Sequence, residues 1–285
     1  MTTIIVNGFF VGLVYGLFGV GLVVVYRGAR AINFAYGETG MIAAFVFAEL
    51  WVDHGVTMLV ALPLALTLSI ILGGATEWLV VRPLQGKSRL SVMVGTFGVA
   101  ALLLVYAGRR WGLNPRSFPP LVNGVGWRLA GLTIAPTQIL ILIAAVGVLA
   151  ALGALYRYTS FGLRLRATAI DPYAAELVGV HTDRTSFATW ALAGGLAGGS
   201  AILIAPLVAV HPYFMTLLFV RGVAAALVGG LTSIGGAFGA GIALGVAEGV
   251  IAYTSPVTGI SEVAISLLII GFLLVRPSGL VRSAY

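Results

Sequence analysis

Hydrophobic residues along this chain fall into nine long runs, near residues 4–26, 31–52, 57–81, 90–107, 137–156, 185–205, 213–231, 237–254 and 260–275. Several approach the roughly 20 residues a helix needs to cross a bilayer. The runs are continuous rather than alternating, which argues against the strands of a membrane barrel. The pattern predicts an all-α fold: a polytopic helical bundle of eight to nine transmembrane segments, in one transmembrane domain over residues 1–285. The second and seventh runs carry Gly and polar residues at one end, and the ninth is short. Broken or re-entrant segments are therefore expected, since interrupted helices at membrane depth are tolerated only where they face protein or water.

One polar stretch breaks the pattern. Residues 157–184, RYTSFGLRLRATAIDPYAAELVGVHTDR, hold four Arg, two Asp and one Glu in a chain that is 9% charged. Within it, Asp171, Pro172 and Gly179 bracket a short helix. Asp171 suits the N-cap, Pro172 the first helical position, and Gly179 the left-handed closing position. A short helix with marked ends, on a loop between spans, points to a docking element for a soluble partner.

Composition sharpens this picture. Of 285 residues, 60% are hydrophobic, and a mean hydropathy of +1.07 exceeds what a soluble domain requires. The net charge of +7 reflects topology rather than nucleic-acid affinity, because the Arg residues flank spans and form no basic stripe. Cysteine is absent, which excludes disulfides and thiolate chemistry. The N-terminal MTTIIVNGFF lacks a basic n-region and reads as a first span rather than a signal peptide.

Lys and Arg also orient the chain. The connectors 27–30, 82–89, 157–184 and the tail 276–285 carry eleven of the sixteen basic residues. By the positive-inside rule this places the 157–184 loop and the C-terminus in the cytoplasm. The sizeable loop on the other side, about residues 108–136, contains Arg109, Arg110, Arg116 and Arg128. Its Trp111 and Trp127 suit a headgroup-level connector.

Glycines recur four apart. Gly8, Gly12 and Gly16 line one face of the first span and Gly241, Gly245 and Gly249 one face of the eighth, with Gly194/Gly195 and Gly198/Gly199 in the sixth. Such spacing lets helix backbones approach closely, and its occurrence near both ends of the chain hints at an internal repeat.

Catalytic and metal motifs are not found. No HExxH or GxSxG occurs, and His54, His181 and His211 are scattered. Gly86-Lys87-Ser88 imitates the end of a nucleotide-binding loop, but Val81 stands where that motif requires Gly. Ionisable groups at membrane depth are costly and become pathway candidates: Glu38, with nearby Asn33, and Glu248. Glu77, next to Arg82 at a span end, is a weaker candidate. None of the three carboxylates is expected to have an intramembrane basic partner, which disfavours a proton relay. The structural alternative is a buried carboxylate bonded to neighbouring helices.

Five segments then fit one family pattern: INFAYGE at 32–38, EWLVVRPL at 77–84, RATAIDPYAAELVGV at 166–180, VGGLTSIGGAFGAGIALGVAEGVI at 228–251 and VRPSGL at 275–280. In this order the chain resembles the LivH-type permeases of branched-chain amino acid ABC importers. Tyr36 departs from the His that the family commonly places there. The resemblance implies a multi-pass permease of the bacterial inner membrane, not itself an enzyme. It implies a second, LivM-type permease, two cytoplasmic ATPase subunits that hold ATP and Mg, and an external solute-binding protein. The short helix becomes the coupling helix, with Arg164, Arg166, Asp171, Pro172, Ala175, Glu176 and Gly179 as its ATPase contacts. The implied substrates are branched-chain or hydrophobic amino acids. Relatives that move urea, amides or other small solutes, and a self-sufficient channel or secondary transporter using Glu38 or Glu248, are the alternatives.

Overall fold

A computed structural model describes the chain except residues 86, 130–131, 256–258, 277–278 and 281–285. Gly86 of the nucleotide-loop look-alike, Pro277 and Ser278 of the VRPSGL ending and the tail's Arg282 thus lie outside the described residues.

All nine apolar runs are helical. The helices are α1 (Thr2–Ala29), α2 (Tyr36–Ala48), α3 (Met58–Thr76), α4 (Arg82–Leu84), α5 (Arg89–Trp111), α6 (Pro136–Tyr158), α7 (Ser160–Ile170), α8 (Pro172–Leu177), α9 (Thr182–Ile204), α10 (Phe214–Gly229), α11 (Ile234–Thr254) and α12 (Ile260–Val275). Five-residue π-helical turns, Glu49–Asp53 and Glu77–Val81, extend α2 and join α3 to α4. Among the described residues, six helical stretches are long and apolar enough to cross a membrane: Thr2–Ala29, Met58–Leu84, Leu90–Trp111, Pro136–Tyr158, Thr182–Leu207 and Ile234–Thr254. The 16-residue α10 and α12 would span only about 24 Å at 1.5 Å per residue, short of a hydrocarbon core of roughly 30 Å.

Local chemistry sets the helix ends. Ser88, Thr159 and Ser233 cap α5, α7 and α11 by accepting from the N–H of Ser91, Gly162 and Gly236 at 3.2, 3.1 and 3.0 Å, satisfying donors that have no intrahelical partner. Two short antiparallel strands, β1 (Trp127–Leu129) and β2 (Leu132–Ile134), stand in the 108–136 loop, which the hydrophobic pattern read only as a connector.

The chain divides into two compact units, each assembled from separated stretches. In the first (1–23, 119–150 and 220–284), α1 and α11 pack through their glycine faces. A Cβ on Gly8 would lie 2.7 Å from the Gly245 carbonyl oxygen and one on Gly12 2.8 Å from Ile242 Cα; one on Gly16 would lie 2.7 Å from the Phe238 carbonyl oxygen. The two glycine repeats are thus each other's partners. Their common spacing follows from backbone-to-backbone contact. A small core of Ala224, Ala225, Leu244 and Ile265 joins α10, α11 and α12. Gln138 Nε2, on α6, donates to Asn7 Oδ1 on α1 at 2.8 Å.

The second unit (24–118 and 151–219) centres on α2, α3 and α9. Here Gly194 and Gly198 sit against Ser69, and Gly73 against the Trp190 carbonyl. Ser69 Oγ donates to the Gly194 carbonyl at 2.5 Å across this seam. Gly40 brings α2 onto α9, where a Cβ would come 2.6 Å from the Ala197 carbonyl oxygen.

Candidate functional site

The polar loop holds two helices where the sequence predicts one. α7 precedes the short helix α8, and Asp171 serves both. Its N–H donates to the Ala167 carbonyl at 3.1 Å, closing α7. Its Oδ1 accepts from the N–H groups of Tyr173 and Ala174 at 2.9 and 3.1 Å, opening α8. Pro172 takes the first helical position. At the far end Gly179 is left-handed, with φ of 85°. Gly179 N–H donates to the Glu176 carbonyl at 2.9 Å and Val180 N–H to the Ala175 carbonyl at 3.0 Å, the paired bonds of a Schellman closure.

What α8 presents differs in part from expectation. Ala175 is 3% exposed and turned inward, so it cannot form the contact surface assigned to it. Tyr173, Leu177 and Val178, which the motif reading passed over, are 72–79% exposed. Three outward apolar side chains on so short a helix, amid a charged loop, make a patch fit for a protein partner. Glu176 is anchored by the hydroxyl of Thr182. Arg166 is folded back, its Nε donating to the Gly162 carbonyl at 3.3 Å. Arg164 lines a cavity of about 420 Å³ with His181 and Arg184, giving that surface a basic edge.

The loop rests on the ends of the spans. Arg82 Nη2 lies 3.2 Å from Glu77 Oε2 and donates to the Asp183 carbonyl at 3.4 Å, tying the π turn to the start of α9. Glu77 itself is fully buried.

Of the pathway candidates, Asn33 and Glu38 fall together at the entrance to α2. Asn33 Oδ1 accepts from Ala35 N–H at 2.9 Å. Glu38 stands in the first turn of α2, where the helix dipole favours a carboxylate. It is 6% exposed, and its Oε2 has no hydrogen-bond partner among the described residues. An unsatisfied buried carboxylate oxygen is costly, which sets Glu38 apart from the paired Glu248. Glycines at 37 and 40 seat this turn closely on Met215 and Ala197.

Glu248 has a different environment. The expectation that the membrane-depth carboxylates lack a basic partner is corrected, because Glu248 receives the Arg221 guanidinium of α10. Arg221 Nε lies 2.9 Å from Oε2 and 3.1 Å from Oε1, while its Nη2 also donates to Oε1. Glu262 of α12 approaches the same guanidinium at 3.8 Å. The Tyr15 ring of α1 lies 5.6 Å beneath it. This cluster sets one guanidinium against two carboxylates and joins four helices of the first unit, an environment that suits a structural role for Glu248. A lone Arg inside the FMTLLFVRGVAA run and the candidate Glu248, twenty-seven residues on, were both visible in the sequence, but nothing in the sequence linked the two.

The family described as "Branched-chain amino acid transport system / permease component" matches residues 4–276. The high-affinity branched-chain amino acid transport system permease protein LivH of Escherichia coli K12 is 30% identical over 96% of this chain and 93% of its own length. The corresponding protein BraD of Pseudomonas aeruginosa is 30% identical over 97% of this chain and 94% of its own length. A probable branched-chain amino acid transport permease protein LivH of Methanocaldococcus jannaschii is 28% identical over 93% and 87%, respectively.

Proposed function

As this chain belongs to the family of branched-chain amino acid transport permease components, we propose that it forms part of the membrane pathway of an ATP-driven importer for branched-chain or other hydrophobic amino acids. The observation that carries the ATP-driven part is α8, a helix capped at both ends that turns Tyr173, Leu177 and Val178 outward. In this reading α8 seats in a groove of a cytoplasmic ATPase subunit. In the same reading the 157–184 loop and the C-terminus face the cytoplasm, which the basic connectors support. A second permease of similar architecture completes the pathway, a second ATPase completes the motor, and an external binding protein delivers the solute.

ATP and Mg are held by the ATPase pair. Closure of that pair on ATP would drag the two coupling helices and shift the permeases between outward- and inward-facing states. A ligand shifts such an equilibrium only through its differential affinity for the two states. ATP and the loaded binding protein supply that difference, and this chain supplies the element that rocks. Glu38 is the pathway residue of choice, its unsatisfied oxygen suited to the ammonium of an amino acid. An ion-coupled transporter built on Glu248 is disfavoured by the Arg221 pairing.

The test is affinity purification of the tagged chain from native membranes in mild detergent, followed by reconstitution. Recovery of two ATPase chains and a second permease, with leucine uptake dependent on ATP and on the binding protein, is the expected result. Recovery of the chain alone, with solute flux that needs no ATP, would overturn the proposal.

A further inference from the structure

The end of α1 makes one contact at each end of α7, the first to the last turn of α6 and the second to α7 itself. Arg27 sets its guanidinium 5.4 Å from the centre of the Tyr156 ring, at the corner where α6 gives way to α7. Gly162 packs so tightly there that a Cβ would overlap the Tyr156 backbone. At the other end of α7, Arg30 Nη2 donates to the carbonyls of Ala169 at 2.7 Å and Ile170 at 3.3 Å. A cation at this position satisfies carbonyls that lack intrahelical partners and complements the helix dipole.

Arg30 reaches this position from an unfavourable backbone. Its φ of 48° is the single positive value at a non-glycine residue among those described. Its N–H donates to the Tyr26 carbonyl at 2.8 Å and closes α1. Left-handed backbone disfavours a residue with a Cβ, and such conformations persist where their surroundings over-determine them. Between the two arginine ties the packing opens into a cavity of about 390 Å³, lined by Gly28, Ala29, Thr168, Pro172 and Ser186 among others. Close apolar packing is thus interrupted under the start of α8, and the bonds of Arg30 are a defined link there.

We infer that Arg30 is a positioning residue that passes displacement of α8 to the end of α1 and to the entrance of α2, with Arg27 holding the end of α6 that leads into α7. This rests on the reading of α8 as the ATPase-docking helix. Asp171 closes α7 and caps α8, so α8 cannot shift without moving the last turn of α7. Arg30 joins that turn to the 31–35 connector. The connector is braced by Asn33 and leads into the turn that carries Glu38. The path from docking helix to pathway candidate is therefore continuous within one unit of the fold.

The chain has no cysteine, so a nitroxide on Ile170→Cys reports on the end of α7 alone. In the purified chain, Arg30→Gln is expected to increase the label's mobility and Arg30→Lys to restore much of the order. In the reconstituted complex, Arg30→Gln is expected to keep its ATPase subunits and basal hydrolysis while leucine moved per ATP falls about tenfold, with partial recovery in Arg30→Lys. Arg30→Gly removes the same guanidinium while easing the left-handed backbone. It is expected to reproduce both effects in a chain that folds. An unchanged label spectrum in both variants overturns the tie itself, whatever α8 docks onto. A freed label with unchanged transport per ATP overturns the transmission. If Tyr173→Ala with Leu177→Ala leaves ATPase association intact, the reading of α8 fails and the transmission with it, while the label result still decides the tie.

Discussion

Arg221 on α10 and Glu248 on α11 form a two-pronged ion pair, Nε to Oε2 at 2.9 Å, with the Tyr15 ring beneath the guanidinium. Taking one partner away leaves the other charged and poorly solvated, which is more damaging than losing both. Glu248→Gln and Arg221→Met are each expected to lower stability by about 3 kcal/mol, and the double change Arg221→Met/Glu248→Gln by clearly less than their sum. Thermal unfolding in detergent, run as a double-mutant cycle, checks this. Additive losses would mean that the pair is not coupled.

The α1–α11 seam predicts an asymmetry among glycines. Gly12→Ala drives a methyl into the Ile242 backbone and should cost about 1–3 kcal/mol, as overpacking does. Gly239, on α11, has open space around it, so Gly239→Ala should be neutral or stabilising by up to about 1 kcal/mol. Melting temperatures of the two variants, measured side by side, decide the matter.

Asp171→Ala removes the acceptor for two N–H groups of α8 and should cost about 1 kcal/mol locally. Gly179→Ala forces a Cβ into left-handed backbone and should cost about 1–2 kcal/mol. Neither touches the membrane spans, so expression and overall stability should hold while leucine-stimulated ATP hydrolysis by the assembled complex drops. Wild-type stimulation in both variants would remove α8 from the coupling route.

Glu38→Gln keeps the size of the side chain and removes its charge. The expected outcome is slower leucine flux per complex at normal membrane levels, measured in proteoliposomes with saturating binding protein. A variant that transports normally would make Glu38 a packing residue.

The spans and the α8 caps were legible in the sequence because both are local. A helix declares itself through its own hydrophobic length, and Asp171, Pro172 and Gly179 act within a few residues of one another. Long-range pairings were not legible. Arg110 and Arg116 counted simply as positive charges on the less basic side of the spans, yet Arg110 pairs with Glu49, sixty-one residues earlier, and Arg116 lies 3.5 Å from Asp53. Trp111 Nε1 also donates to Glu49, at 2.9 Å. Both carboxylates belong to a π turn that no propensity pattern announces, since such turns arise where one extra residue is accommodated in a helix. The two glycine faces could likewise be listed from sequence, but spacing alone does not say which face meets which.

The double closure of α8 has one more consequence. A six-residue helix is far too short to hold its shape in water by backbone bonds alone, and many docking peptides of that length acquire structure only on their partner. Here the Asp171 cap and the Gly179 turn fix it in advance. Were α8 to dock on a partner as proposed, none of the docking free energy would be consumed in ordering the helix. On the proposed docking of α8, that economy would suit a joint that stays folded between successive engagements with its partner.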